Sequence, residues 1–315
     1  WLKGAGVGPV RAGPWGRGRG NGPMLAALIL AWFGPPPSWA PLTLETMGQN
    51  PALTWLLFSD QPRGAWGPLP RNVWLRPLNA TGFARLALQA TGVDAPVEGG
   101  YKLCDWRMAY GEVFAQQLRG FAFWGWVDLD VFLGRLALFG LNASGLAAVD
   151  AHGELGWPSQ GPLTLLRNEP PVNRLWRSVP RAAERLRSAG IQRMNEWDFG
   201  RALLQAPGLR LRPLAFPTHL SAAPRHGPGD LAWAGGRVLH LPSCGEAAYL
   251  HFSGWKDAVA TTALGLLRGG GGGPGSLPEA WVVGPEGLRE PSAAEAARLR
   301  ACRARAARAG ARFAW

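Results

Sequence analysis

The stretch Phe121–Gly134, FAFWGWVDLDVFLG, sets two carboxylates, Asp128 and Asp130, inside an apolar and aromatic run otherwise suited to a buried strand. An ionised carboxylate taken out of water is costly unless a cation or hydrogen-bond donors compensate it. Two acids one residue apart therefore predict a shared positive partner, and a divalent cation is the simplest one. In an extended strand residues i and i+2 share a face about 7 Å apart, so Asp128 and Asp130 converge while Val127, Leu129 and Val131 face the other way. The competing reading is a strand end that turns into solvent, where aspartate simply marks a loop.

On either side of this run the pattern alternates between strand and helix. Upstream, the sequence predicts strands at Leu25–Phe33, Leu53–Ser59 and Val73–Leu75, and helices at Ser38–Met47, Ala80–Thr91 and Met108–Leu118. This βαβ rhythm delivers Asp128 and Asp130 to the C-terminal end of a strand, where open α/β sheets bind ligands. Downstream it predicts a strand at Leu163–Arg167, a helix at Pro171–Ser188, and late strands at Val238–Leu241 and Ala248–Phe252. Residues 1–22 form a Gly- and Arg-rich segment expected to be disordered, and 23–267 the body of the protein. Residues 268–291, with the run Gly269–Pro274, form an expected flexible linker. The tail, 292–315, is Ala- and Arg-rich, a helix without a wide apolar face that is expected to be a solvated appendage.

The formal net charge of +12 suggests an anionic partner until its distribution is considered. Residues 1–22 carry +4 and residues 291–315 carry +5, which leaves only +3 for the body. The aromatics lie elsewhere, so the basic stripe with interleaved stacking rings that a nucleic-acid binder needs is missing. Three cysteines, Cys104, Cys244 and Cys302, are odd in number and widely spaced, and they indicate neither a disulfide framework nor a zinc site. Met24–Phe33 is about half the length needed to cross a bilayer and reads as a buried first strand. Any membrane association is expected only through a segment upstream of Trp1. Two sequons, Asn79-Ala80-Thr81 and Asn142-Ala143-Ser144, are compatible with a secretory route.

Three blocks carry a family likeness: NPALTWLLFSD (50–60), YKLCDWRMAYGEVFAQQLRGFAFWGWVDLDVFLG (101–134) and GPLTLLRNEPPVN (161–173). Together they resemble the glycosyltransferase-like proteins of bacterial polysaccharide gene clusters and their algal relatives, which are similar to GT-A-type nucleotide-sugar transferases. The likeness runs from Leu25 to Lys256, with Lys102, Asp105, Tyr110, Gly111 and the DLD in the expected order. It implies an α/β, GT-A-like nucleotide-diphospho-sugar transferase fold, a mixed central sheet flanked by helices. It also implies that Asp128 and Asp130 hold Mn²⁺ or Mg²⁺ bridging the donor diphosphate.

By the same resemblance the segment YLHFSGWK (249–256) supplies His251 as a further metal ligand, Gly254 as a phosphate contact and Lys256 on the diphosphate. Its spacing is one residue shorter than the family pattern and the usual following proline is absent; an ordinary core histidine is the bland alternative for His251. Lys102, Asp105 and Arg107 are expected around the nucleotide, with an Asp105–Arg107 pair as the bland version. Asp60 is expected near the nucleoside, and Arg167 with Asn168 near sugar or phosphate. In MNEWDF (194–199), Glu196 is the expected base for the acceptor hydroxyl with Asp198 beside it, against plain surface charge. Trp197 and Trp255 are the candidate sugar-stacking rings. The activity implied is metal-dependent transfer of a sugar from a nucleotide-sugar donor to a glycan or other hydroxyl acceptor, without a nucleic-acid partner. The expected compartment is the Golgi or secretory pathway in a eukaryote and the cytoplasm in a bacterium. The rival readings are a metal-dependent phosphoesterase and a non-catalytic carbohydrate-binding or scaffold protein that keeps a degenerate version of the fold.

Overall fold

The computed structural model describes residues 24–97, 100–147, 150–153, 159, 161–213, 218–219, 229–269 and 277–308. The expected disordered segment 1–22 and the glycine run from 270 lie outside them. Strand β1 (Met24–Trp32), MLAALILAW, is apolar at every position because both of its faces are covered. Helix α1 (Ala40–Gly48) follows, with a proline in its first turn where no intrahelical N–H is lost. Then come β2 (Leu53–Ser59), β3 (Val73–Pro77) and α2 (Ala80–Thr91). Asn79 caps α2 by accepting the Gly82 N–H, and Gly92 ends it in the left-handed conformation.

The predicted helix at Met108–Leu118 is instead a chain of short turns: α3 (Leu103–Trp106), a 3₁₀ turn at Arg107–Ala109, and α4 (Tyr110–Val113). Strand β4 (Phe121–Val127) follows, then β5 (Val131–Leu133), α5 (Ala143–Ala147), β6 (Ala151–Gly153), β7 (Leu163–Arg167), α6 (Pro170–Asn173), α7 (Ala182–Arg187), α8 (Asp198–Gln205) and β8 (Leu211–Pro213). The predicted helix Pro171–Ser188 breaks in its middle at Pro180, which forces the preceding Val179 into an extended conformation.

The central sheet has seven strands in the order β3-β2-β1-β4-β7-β6-β8. The first four are parallel, β7 runs against β4, and β8 runs parallel to β6. The architecture is therefore mixed α/β with a mostly parallel sheet. Alternate side chains feed two cores, one on each face of the sheet. Ile29, Phe58, Trp124 and Trp126 pack with residues of α2, α4, α7 and α8. Leu28, Leu57, Phe123 and Val127 pack with α1 and the β5 region. From β1 the chain first builds outward through β2 and β3, then returns to lay β4 on the other side of β1. The sheet order reverses between β1 and β4, and β4 ends there at Val127.

The remainder corrects the expected linker and appendage. Strand β9 (Thr218–His219) pairs with β13 (Tyr249–His251), which also lies against β5. Strands β10 (Leu231–Ala234), β11 (Arg237–His240), β12 (Gly245–Ala247), β14 (Ala280–Gly284) and β15 (Gly287–Arg289) form a second sheet in the order β12-β11-β10-β14-β15. Residues expected as linker thus supply two of its strands, β14 pairing with β10 throughout. Helix α9 (Lys256–Gly269) covers one face of that sheet, where Trp281 stacks on Trp233.

Helix α10 (Ala293–Arg308) covers the other face through Leu299 and Cys302. Six arginines in the tail hide this narrow stripe, yet two residues at i, i+3 suffice to sit on Ala232, Leu239 and Val282. Cys302 is bonded to Cys244, contrary to the sequence reading. Cysteines 58 positions apart have no local spacing to betray a pair. Among the described residues no helix is long and apolar enough to cross a membrane.

Candidate metal centre

Strand β4 stops at Val127, so Asp128–Asp130 lie in a bend and not in the extended strand assumed from the sequence. The bend is held at every backbone step. Asp128 N–H donates to the Pro162 carbonyl (2.8 Å), the last rung between β4 and the chain entering β7. Leu129 turns its side chain into the core, and its carbonyl accepts both Trp39 Nε1 (3.1 Å) and Thr43 Oγ1 (2.9 Å) from the start of α1. The Asp130 carbonyl accepts the Phe252 N–H (3.1 Å). These bonds leave the two carboxylates little freedom to diverge.

Pairing of β5 with β13 sets His251 opposite Val131, which carries the imidazole to Asp130; Nε2 lies 3.2 Å from Asp130 Oδ2. Asp128, Asp130 and His251 each offer a ligand atom within 4.8 Å of the other two. Two cations complete the cluster. Lys256 Nζ, from the first residue of α9, is 2.7 Å from Asp130 Oδ2, and Arg107 pairs with Asp128 Oδ1.

Burial pushes the Asp128 carboxyl above its ordinary range, against the pull of the Arg107 guanidinium, and the neighbouring Asp130 charge adds to the rise. Burial also pushes Asp130 up, but the His251 hydrogen bond and the Lys256 ammonium outweigh it, so that carboxyl lies below the usual range. For Lys256, burial lowers the ammonium's pKa, yet the Asp130 charge and hydrogen bond win and leave it raised.

The donor set, two carboxylates and one imidazole, is one that Mg²⁺, Mn²⁺ or Zn²⁺ accepts. Asp128 Oδ2 and Asp130 Oδ1 accept no hydrogen bond among the described residues, so each carboxylate keeps an oxygen for an ion. The residues fit a divalent cation, and they stand outside the C-terminal ends of β1 and β4, at the reversal of strand order.

Several other predicted site residues lie elsewhere. Lys102 and Asp105 are sealed in the core, with side-chain exposures of 1% and 0%. Lys102 Nζ spends its three donors on Asp105 Oδ2 (2.9 Å), the Arg185 carbonyl (3.0 Å) and the Gly190 carbonyl (2.8 Å). Asp105 in turn accepts the Gln192 N–H (2.9 Å) and the Met194 N–H (3.3 Å). The pair locks the 190–194 loop. Arg107 pairs with Asp128 instead of Asp105, so of this trio it alone joins the centre.

Arg167 is misplaced by strand direction. Because β7 is antiparallel, Arg167 lies opposite Phe123, five residues before Asp128 and so roughly 16 Å away along the sheet. It pairs there with Asp150 (2.5 Å). Asn168 holds the Leu118 and Phe121 carbonyls at the same wrong end.

Asp60 lies at the same sheet edge as Asp128, after β2, where it accepts the Gly34 N–H (2.9 Å); that bond, with Gln61, holds its carboxyl below the usual range. Gly254 is exposed in the single 3₁₀ turn joining β13 to α9. Asp198 is ion-paired with Arg185 (2.6 Å), and the half-buried Glu196 side chain has neither ion pair nor hydrogen bond among the described residues. No hydrogen bond or ion pair between described residues joins either acid to the metal centre. Trp197 is 52% exposed, whereas Trp255 packs partly buried against the core under α9. Sequence reasoning missed Trp39 and Thr43, whose role depends on the Leu129 carbonyl and leaves no local signal.

The profile of a family of unknown function, DUF6625, matches residues 28–197, more than half of the chain. The chain belongs to DUF6625. The part shared with DUF6625 runs from β1 to the loop before α8, so it contains Arg107, Asp128 and Asp130 and ends before His251 and Lys256. No curated protein matches this DUF6625 chain. Among solved structures it is similar to a glycosyltransferase involved in the glycosylation of the major capsid of PBCV-1, at 11% identity and a TM-score of 0.42, over 76% of this chain and 99% of the other.

Proposed function

We propose that this protein is a divalent-metal-dependent transferase that moves a sugar from a nucleoside-diphosphate donor to a hydroxyl acceptor. The observation that carries the reading is the convergence of Asp128, Asp130 and His251, flanked by Arg107 and Lys256, at the strand-order reversal of a mostly parallel sheet. Asp128, Asp130 and His251 would hold the ion. When bound, it would supply Lewis-acid neutralisation of the charge that grows on the departing diphosphate.

The protein's own groups do the rest. Arg107 fixes the Asp128 carboxylate, and the bonds from Trp39, Thr43 and Phe252 fix the backbone that carries both acids. Lys256, 44% exposed at the start of α9, has the freedom to turn from Asp130 to a phosphate oxygen. Asp60 shares this sheet edge and suits a nucleoside hydroxyl; Gly254, exposed beside Lys256, leaves room for a phosphate. Of the two acids flanking Trp197, Asp198 is held by Arg185, so Glu196 is the one proposed to take a proton from the acceptor hydroxyl.

A paired-metal phosphoesterase would need further ligands, and among the described residues only this one cluster could hold an ion. The test is sugar release from a panel of nucleotide sugars with Mn²⁺, Mg²⁺ or chelator. The reading predicts metal-dependent turnover that falls by at least about 100-fold in Asp128→Asn and Asp130→Asn proteins. Unchanged turnover in either variant would exclude it.

A further inference from the structure

Helix α10 is held to the second sheet by little apolar surface: Leu299 and Cys302 are its buried residues among those whose side chains are described. The Cys244–Cys302 bond is therefore a main attachment of the helix, fixing it to the turn between β11 and β12. Such bonds form and persist in oxidising compartments, whereas the reducing cytosol keeps thiols free. The two sequons gain meaning in that setting, because an oxidising lumen is also where Asn-x-Ser/Thr acceptors are modified.

The fold treats the two sequons differently. Asn142 is closed: Nδ2 donates to the Ala137 carbonyl (2.7 Å), and Oδ1 accepts both the Ser144 hydroxyl (2.9 Å) and the Gly145 N–H (2.9 Å). Asn79 is open. It is exposed at the N-terminus of α2, and Thr81 is exposed beside it. Its Oδ1 accepts the Gly82 N–H (2.8 Å), while Nδ2 makes no hydrogen bond among the described residues. A glycan on Nδ2 leaves the amide oxygen, and hence the helix cap, intact. Asn79 follows the edge strand β3, with β2 and β1 standing between that strand and β4, so it lies on the same sheet edge as the metal centre but two strands removed from β4.

We propose that Asn79 carries an N-linked glycan, added while the chain matures in the oxidising compartment that its Cys244–Cys302 bond requires. In the first step Asn79 Nδ2 loses a proton and bonds to the anomeric carbon of an oligosaccharide carried on a lipid diphosphate, which departs with the electron pair of the broken C–O bond. In the second, the Cys244 and Cys302 thiols give up two protons and two electrons to a host protein disulfide, which becomes a dithiol. Neither step depends on the transferase reading.

The experiment routes the full chain through the secretory pathway of a eukaryotic cell and reads intact mass, from secreted and retained material alike, before and after enzymatic deglycosylation. The expected result is one glycan in the wild-type and Asn142→Gln proteins and none in Asn79→Gln. Thr81→Ala, which keeps the Asn79 cap, must also lose it. Thiol labelling of the denatured chain should find one free thiol, Cys104, and three after reduction. A bare wild-type Asn79, a glycan that survives Thr81→Ala, or three free thiols before reduction would each overturn the proposal.

Discussion

Substituting Lys102 tests whether a buried ion pair, and no ligand contact, is what that residue supplies. Its ammonium is sealed from water and satisfied by one carboxylate and two carbonyls. Lys102→Met leaves the Asp105 carboxylate buried with only two backbone N–H donors, and breaking such a pair from one side costs about 3–5 kcal/mol. Asp105→Asn leaves the ammonium with two carbonyls and costs a similar amount, on the order of 3–5 kcal/mol. The double variant buries no charge, and the Asn amide oxygen still accepts a loop N–H, so its loss should be only about 1–3 kcal/mol, the cost of the carbonyls left unpaired.

The singles thus sum to roughly 6–10 kcal/mol, and the coupling between them is several kcal/mol. Equilibrium urea denaturation of the four proteins gives the cycle directly. Independent sites add within about 0.3–0.5 kcal/mol, so additivity at that level would refute the ion-pair account, as would single losses below about 1 kcal/mol.

Other expectations follow from single contacts. Arg107→Met strips Asp128 of its cation and should lower stability by about 2–3 kcal/mol, less than for a sealed pair because both groups keep some exposure; Mn²⁺ should raise the melting temperature of this variant more than that of the wild type. Gly125→Ala would set a Cβ 1.9 Å from the Thr164 carbonyl oxygen in the middle of the sheet, and the resulting overpacking should cost at least about 3 kcal/mol, read as lost soluble yield or a lower denaturation midpoint. The Arg289 hydrogen bond holds the Glu295 carboxyl down to about 2. A depressed folded-state value means the stabilisation is present above pH 4.5 and fades as pH falls toward 2. Glu295→Gln should therefore melt below the wild type at neutral pH, by less than about 1 kcal/mol, and coincide with it near pH 2.

What the sequence made legible depended on how local each cause was. β1 and β4 announce themselves as unbroken apolar runs, and β2 comes close, with Thr54 and the terminal Ser59 as its polar positions, since a strand covered on both faces has little place for polar residues. The DLD stood out because its acids interrupt such a run. Strand direction was not visible: LTLLR reads the same either way, and an antiparallel β7 carries Arg167 to the far end of the sheet. Lys102, Asp105 and Arg107 looked like one polar group, yet the winding of α3 sends Arg107 to Asp128 and buries the other two. The second sheet was obscured by short, Gly- and Pro-flanked strands, and α10 by arginines surrounding a two-residue stripe. His251 reaches Asp130 only through the pairing of β5 with β13, strands more than a hundred residues apart.

Mn²⁺ titration of the protein in the presence of a nucleoside diphosphate, followed by electron paramagnetic resonance, tests the central claim most directly. One bound ion per chain is predicted, its affinity falling in Asp128→Asn, Asp130→Asn and His251→Ala proteins by at least the roughly 10–100-fold that loss of even an outer-shell partner costs. Binding of Mn²⁺ that is equally tight in all three variants, or no binding in the wild type, would contradict the account.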